Sequence, residues 1–243
     1  MDLKSKVALV TGAGRRVGRA IALELATHSV SVAVHYRTSQ SEADAVVTEI
    51  TSNGGKAQAF CANLEHVAEI QQMVTNVIDA FGRIDILVNS ASVFGPTPLE
   101  SITEQDWDVN LDTNLKAPFF LSKFAGAAMR QQGAGKIINI GDWAGIRPYK
   151  DYLPYSVSKS AMIGLTSALA KELAPTVQVN CIALGMVIPP EGYTKEEVER
   201  LVNRTLTKKM GTPDDVARAV VFFCETDFAT GVVLPLEGGR LLV

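Results

Sequence analysis

Short apolar runs punctuate this chain, and between them apolar residues recur three and four positions apart. The runs are Val7-Ala8-Leu9-Val10-Thr11, then 30–36, 57–61, 84–88, 136–140, 177–182 and 232–236. Each has the length of a strand, and their near-continuous hydrophobicity marks strands covered on both faces. Helical spacing is carried by Ala20, Ile21, Leu23 and Leu25, then by 42–52, 67–81, 103–131 and 152–173, and by a segment opening at Thr212-Pro213-Asp214-Asp215. Asn53-Gly54-Gly55 stops the second of these. Pro118 falls inside the long fourth segment, where it removes an N–H donor and clashes with the carbonyl of Asn114, so that carbonyl is expected to be free. The stretch 185–210 lacks strand character, contains Pro189-Pro190-Glu191-Gly192 and an amphipathic run over 194–206, and is predicted to cover a substrate.

Seven strands alternating with at least six helical segments predict an α/β protein: one Rossmann-like, doubly wound domain over 1–243, its seven-stranded parallel sheet flanked by helices on both faces. The formal net charge of −3 and the lack of any basic cluster longer than Arg15-Arg16 argue against nucleic-acid binding. No apolar run reaches membrane-spanning length, and the first residues lead straight into a strand pattern without the marks of a signal peptide, so a cytoplasmic protein is expected. Cys61, Cys181 and Cys224 are odd in number and widely spaced, and read as core thiols of a reducing compartment, with neither disulfide nor metal implied.

Three groups of residues carry chemistry. The first strand ends in Gly12-Ala13-Gly14-Arg15-Arg16-Val17-Gly18 ahead of a helix, the order that seats a dinucleotide pyrophosphate on a helix N-terminus. The second strand ends in His35-Tyr36-Arg37-Thr38-Ser39, with no acid before Glu42 to take a ribose 2′-hydroxyl; Arg37 and Arg16 instead suit a 2′-phosphate, which favours NADPH over NADH. Small residues Asn89-Ser90-Ala91-Ser92 after the fourth strand allow close backbone approach to the cofactor. Finally, Tyr155 and Lys159 stand four apart and project from one helical face. An ammonium beside a phenol favours the phenolate and eases proton donation near neutral pH.

Taken together, Thr11-Gly12 through Gly18, Asn89-x-Ala91, Asn114, Tyr155-x-x-x-Lys159 and Leu236-Glu237-Gly238-Gly239 resemble the short-chain dehydrogenase/reductase family over essentially the whole chain. The resemblance implies Tyr155 as proton donor and Lys159 as ligand of the nicotinamide ribose and modulator of the tyrosine. It implies Asn114 as holder of a water bridging to Lys159, and Asn63, Leu64, Ile140, Gly185 and Val187 as further cofactor contacts. Four positions depart from the family pattern: Arg16 replaces a glycine, Asn63 an aspartate, Leu184 a proline and Asp142 a serine. Arg16, Asp142 and the run 35–39 are similar to the pteridine reductase branch, where Phe94 falls at the position of a phenylalanine stacking on the pterin. Ser92, Phe94, Asp142, Tyr155 and Met186 are then the substrate contacts. The family habit of pairing the long helices across two-fold axes implies a homotetramer, with Ala125, Gly126, Ala127 and Ala128 permitting close approach.

The physics of Asp142 bears on the branch. A serine hydroxyl donates to the oxygen of a ketone as negative charge develops there, whereas an ionised carboxylate repels it. A pterin presents N–H and amino groups that a carboxylate can accept from. The expected activity is therefore NADPH-dependent reduction of a pteridine or folate-like small molecule. The alternatives are an NADPH-dependent carbonyl or 3-oxoacyl thioester reductase, and a catalytically silent NADPH-binding regulatory protein.

Overall fold

The computed structural model describes residues 1–189 and 192–243. Its strands are β1 (Val7–Val10), β2 (Ser31–Tyr36), β3 (Ala57–Cys61), β4 (Ile86–Asn89), β5 (Gly135–Asp142), β6 (Val177–Leu184) and β7 (Val233–Leu236). They form one parallel sheet in the order β3-β2-β1-β4-β5-β6-β7. The order reverses between β1 and β4, and the crevice beyond that reversal is where such sheets bind ligands.

Residues alternate across the sheet, and so do its two cores. Val10, Val34, Val88 and Ile138 face helices α1 (Arg16–Thr27), α2 (Gln40–Ser52) and α8 (Pro213–Glu225) through Ile21, Leu25, Val46, Val220 and Phe223. Leu9, Ala33, Leu87 and Ile137 face α3 (Val67–Phe81), α5 (Ala117–Gln132) and α6 (Leu153–Leu173) through Ile70, Met73, Leu121, Met129 and Leu169. Burial on both sides is what makes the strand sequences apolar throughout. One buried polar line crosses this interior: Asn89 stands opposite Asn139 in the β4–β5 register, and its amide donates to Asn139 Oδ1 at 2.8 Å. Asn139 in turn donates to Thr166 Oγ1 on α6 at 2.9 Å.

The expected long helix 103–131 is three pieces: α4 (Glu104–Leu111), a π-helical turn (Asp112–Lys116) and α5. Without an N–H at Pro118 the ladder cannot continue on four-residue spacing, and the chain widens so that Ala117 N–H donates to Asp112 O. Ala125 and Gly126 point inward rather than to a partner: a Cβ at Gly126 would lie 3.2 Å from Leu173 Cδ1 of α6. Cys61 is also a correction. It is exposed, because β3 is an edge strand and the alternation turns that side chain outward, while Cys181 and Cys224 are buried. In the stretch 185–210, α7 (Lys195–Val202) is opened by a Thr194–Glu197 capping box. Pro190 and Glu191, part of the expected covering segment, lie outside the described residues.

Candidate active site

Strand β5 delivers Asp142 to the carboxyl edge of the sheet, and α6 returns Tyr155 and Lys159 to the same place. Tyr155 Oη donates to Asp142 Oδ2 at 2.9 Å, and the Ala144 N–H donates to Asp142 Oδ1 at 2.7 Å. One turn further along α6, the Lys159 ammonium sits 5.6 Å from the centre of the Tyr155 ring and donates to Ile140 O at 3.0 Å. The connection between them is pressed onto the helix: a Cβ at Gly145 would lie 2.6 Å from Lys159 O.

Burial pushes Tyr155 well above the ordinary pKa of a phenol, and the Asp142 charge pushes it the same way. Burial also raises the carboxyl pKa of Asp142, opposed by the Ala144 N–H, the Lys159 charge and hydrogen bonds from Tyr155 and Tyr149. Lys159 is lowered by burial, with Asp142 acting against that. The phenol is thus raised where the Tyr-Lys spacing led us to expect lowering. Its neighbour across the hydrogen bond is an acceptor, and the Lys159 proton is directed at a carbonyl instead. The phenolic proton lies between two groups that both hold it.

Asn114, in the π-helical turn, is fully engaged. Its Oδ1 accepts from Ser92 Oγ at 3.0 Å and Val93 N–H at 2.9 Å, while its Nδ2 donates to Val93 O at 3.1 Å and Ser158 Oγ at 3.2 Å. The side chain therefore ties the loop after β4 to the helix that bears Tyr155. That loop presents Phe94, 48 % exposed, stacked on Tyr152 and edge-on to Tyr155 with ring centres 4.8 Å apart in both pairs.

The glycine turn is shaped to receive a dinucleotide. Gly12 has a left-handed φ of 63° and a Cβ there would come 3.0 Å from Ala91 Cα; a Cβ at Gly18 would meet Gly12 O at 2.3 Å, so α1 can start this close to the turn only with glycine. Arg16, where the family pattern has a glycine, also takes a positive φ, 53°. Thr11 Oγ1 accepts from the Ser90 and Ala91 N–H groups at 2.9 and 3.0 Å, fixing the two loops side by side. Beneath them lies His35, 2 % exposed. Its Nδ1 accepts from Gly12 N–H at 3.0 Å, so its Nε2 carries the proton and faces Ala62 O at 3.1 Å. Burial lowers its pKa to about 4.

A cleft of about 1040 Å³ joins these parts. It is lined by Gly12, Arg15, Arg16, Val17, Gly18, His35, Tyr36, Arg37, Ser39, Asn63, Leu64, Ser90, Ala91, Ser92, Phe94, Ile140, Asp142, Tyr155, Lys159, Gly185, Met186 and Val187, all expected from the sequence. Gly14, Asn89 and Asn114 are not on its wall. Gly14 packs on Ala43 of α2, Asn89 turns into the interior polar line, and Asn114 acts through the loop. Sequence reasoning missed Trp143, Arg147, Tyr149, Tyr152, Arg204 and Arg240, which also line the cleft. Tyrosines at 149, 152 and 155, spaced by three, were the available signal for part of this wall; Arg204 and Arg240 are brought in by tertiary structure alone.

Residues 6–199 match the family model for short chain dehydrogenase. The chain is a short-chain dehydrogenase/reductase. As a member of this nicotinamide-dependent family, with reductases among its relatives, it is an oxidoreductase rather than a silent binding protein. Among its relatives are the 3-oxoacyl-[acyl-carrier-protein] reductase of Synechocystis, 37% identical over 99% of this chain and 98% of that protein, and the Staphylococcus aureus 3-oxoacyl-[acyl-carrier-protein] reductase FabG, 35% identical over 98% and 99%. The solved structure of FolM alternative dihydrofolate reductase 1 from Brucella canis, complexed with NADP, is 32% identical with a TM-score of 0.94 over 100% of this chain and 96% of that one. A blue fluorescent protein from a metagenomic library, in complex with NADPH, is 31% identical with a TM-score of 0.92 over 99% of both chains. Among the described residues of this reductase, no helix is long and apolar enough to cross a membrane.

Proposed function

We propose that this short-chain reductase uses NADPH to reduce a conjugated C=N bond in a flat nitrogen heterocycle of the dihydropterin or dihydrofolate type. The observation that carries the reading is the hydrogen bond from Tyr155 Oη to the Asp142 carboxylate. A ring N–H or amino group entering beside Tyr155 meets an acceptor at Asp142, and the exposed face of Phe94 offers a shelf on which such a ring lies flat. Burial raises the Asp142 carboxyl pKa, and the Ala144 N–H, the Lys159 charge and the tyrosine hydrogen bonds oppose that and favour its acceptor form. Asn114 acts by holding the 92–93 loop and, through its carbonyl, a water toward Lys159. The stretch 185–210 serves as the cover of the substrate end.

Arg16 and Arg37 are the 2′-phosphate ligands in this reading. Arg37 is paired with Glu65 at 2.7 Å, so phosphate competes with a surface carboxylate for it. The bound NADPH supplies the hydride, and the chain's own residues orient the acceptor and deliver the proton. The assembly we propose is a homotetramer built on α4, α5 and α6, which expose Trp107, Phe119, Leu153 and Val157. Sedimentation should give about four times the 26.1 kDa chain mass, and Phe119→Glu should lower it; a monomer in both proteins would remove the assembly.

A second reading, reduction of a 3-oxoacyl thioester, is favoured by the names of the curated relatives. In it a protonated Asp142 donates to the ketone oxygen in place of the missing hydroxyl. Asp142→Ser separates the two. Pterin turnover should fall by about one to two decades when a charged acceptor becomes a neutral one, while ketone turnover rises. Comparing kcat/KM for dihydrobiopterin, dihydrofolate and a short acetoacetyl thioester in both proteins decides: an acetoacetyl preference before mutation that is lost after it would assign the chain to the thioester class.

A further inference from the structure

Three arginines that the chemistry above does not use meet at the substrate end of the cleft. Arg147 lies in the turn after β5, Arg204 in the turn after α7, and Arg240 in the last 3-10 turn; all three line the wall that also bears Asp142 and Tyr155. The Arg240 guanidinium is 5.4 Å from the centre of the Trp143 ring, and the backbone N–H of Arg147 donates to Trp143 O at 2.8 Å, which closes the turn that carries Arg147. Arg204 is brought in by the cover, whose Leu206 and Thr207 N–H groups donate to Gly238 O at 2.8 and 3.2 Å. The Gly238-Gly239 turn permits this: a Cβ on Gly238 would meet Thr207 Oγ1 at 2.7 Å, and one on Gly239 would meet Leu206 Cβ at 2.8 Å.

Among the described residues none of the three forms an ion pair with a carboxylate side chain. Glu237, the nearest acid on the chain, accepts from the Gly239 and Leu241 N–H groups at 3.2 and 2.9 Å and is occupied in its own turn. Arg147 donates to the Val243 backbone oxygen at 2.6 Å. Burial lowers the pKa of Arg240, and the positive charges of Arg204 and Arg147 act in the same direction, while Tyr149 and Glu237 act against them. Three guanidinium groups on one wall, offset at Arg240 by Glu237, draw an anion toward them. That anion is not the cofactor 2′-phosphate assigned to Arg37. Arg37 follows β2, while Arg147 follows β5, three strands away in the sheet order, which at about 4.8 Å per strand is roughly 14 Å.

We propose that Arg147, Arg204 and Arg240 bind an oxyanion carried by the substrate itself, on an arm remote from the bond reduced. This rests on the reading of the cleft as the substrate site. The group recognised is a carboxylate or phosphate, and the two substrate classes above supply it differently: a folate-type ring through its terminal carboxylates, a carrier-bound thioester through its phosphate-bearing arm.

The test compares matched substrates. Dihydrofolate is set against the uncharged dihydrobiopterin, and acetoacetyl-coenzyme A against an uncharged acetoacetyl thioester of N-acetylcysteamine. In the wild type kcat/KM should favour the anionic member of the active pair, and in Arg147→Gln/Arg204→Gln/Arg240→Gln that preference should shrink by about ten- to a hundred-fold. The pair in which it shrinks identifies the source of the anion. An equal preference in both proteins overturns the proposal while leaving reduction at this site intact. An arm independent of turnover uses inorganic pyrophosphate with NADP-saturated protein: thermal stabilisation should occur in the wild type and be lost in the triple variant. Equal stabilisation of the two, or none in either, overturns the proposal even if no substrate is reduced.

Discussion

His35 shows how much a single side chain can commit to. Expected among the cofactor contacts, it lines the cleft and also serves the glycine turn from beneath, as a neutral ring accepting from Gly12 and facing Ala62 O. In the unfolded chain its imidazole takes a proton as the pH falls past its ordinary value of 6.5, whereas in the fold burial delays this to about 4. The unfolded state therefore binds more protons between these values, and the stability contributed is complete above pH 6.5 and lost as the pH falls toward 4. The loss amounts to about 3 kcal/mol. Urea melts of the wild type and His35→Gln across this window should show the two stabilities converging as the pH falls, and a constant difference would mean that His35 does not titrate this way. Asp142 carries the opposite sign, since its raised carboxyl pKa makes the folded state the better proton binder in the acid range.

At the scale of elements, strand, glycine turn and helix act as one part. Gly18→Ala would set a methyl 2.3 Å from Gly12 O, and α1 must move away. NADPH affinity should fall by more than about ten-fold and stability by about 1–3 kcal/mol, read by cofactor titration and denaturant melts. Unchanged cofactor binding would show that the turn does not depend on this approach. This part was legible because glycines punctuate strongly between an apolar strand and an amphipathic helix. The same is true of β3 and α3, whose bounds follow from the apolar pattern. The split of 103–131 was only half legible. Pro118 announces an interruption, but whether the backbone kinks or widens into a π turn depends on what Asn114 and Asp112 find to bond, which is tertiary. The orientation of Asn89 escaped for a similar reason, since at a strand end nothing local distinguishes a core-facing from a cleft-facing amide.

Over the whole molecule, basic side chains outnumber acidic ones along the cleft. A chain of net charge −3 lines one cleft with Arg15, Arg16 and Arg37 at one end and Arg147, Arg204 and Arg240 at the other. Such a cleft concentrates anions and loses that advantage in salt. NADPH should bind about one to two decades more tightly than NADH at low salt, and the gap should narrow as salt is raised. Titrating both cofactors across a salt series checks this, and equal affinities throughout would disconnect the arginines from the phosphate. The family was readable from the chain because its marks sit at the ends of strands, where spacing survives. The substrate class was less so, because one residue, Asp142, argues for nitrogen heterocycles while the names of the curated relatives argue for thioesters. The Asn89–Asn139 amide pair has a consequence of another kind. Parallel strands of Val, Ile and Leu are nearly interchangeable when they slide past one another, and apolar contact alone tells little between alignments two residues apart. In the β4–β5 pair only the native alignment brings the two amides face to face. A misaligned pairing would leave both stranded in hydrocarbon at about 1–3 kcal/mol apiece, so the pair is expected to disfavour misdocked strands as the sheet forms. An Asn89→Val/Asn139→Val chain would have to refold without that check, and a refolded yield equal to the wild type would show that it was not needed.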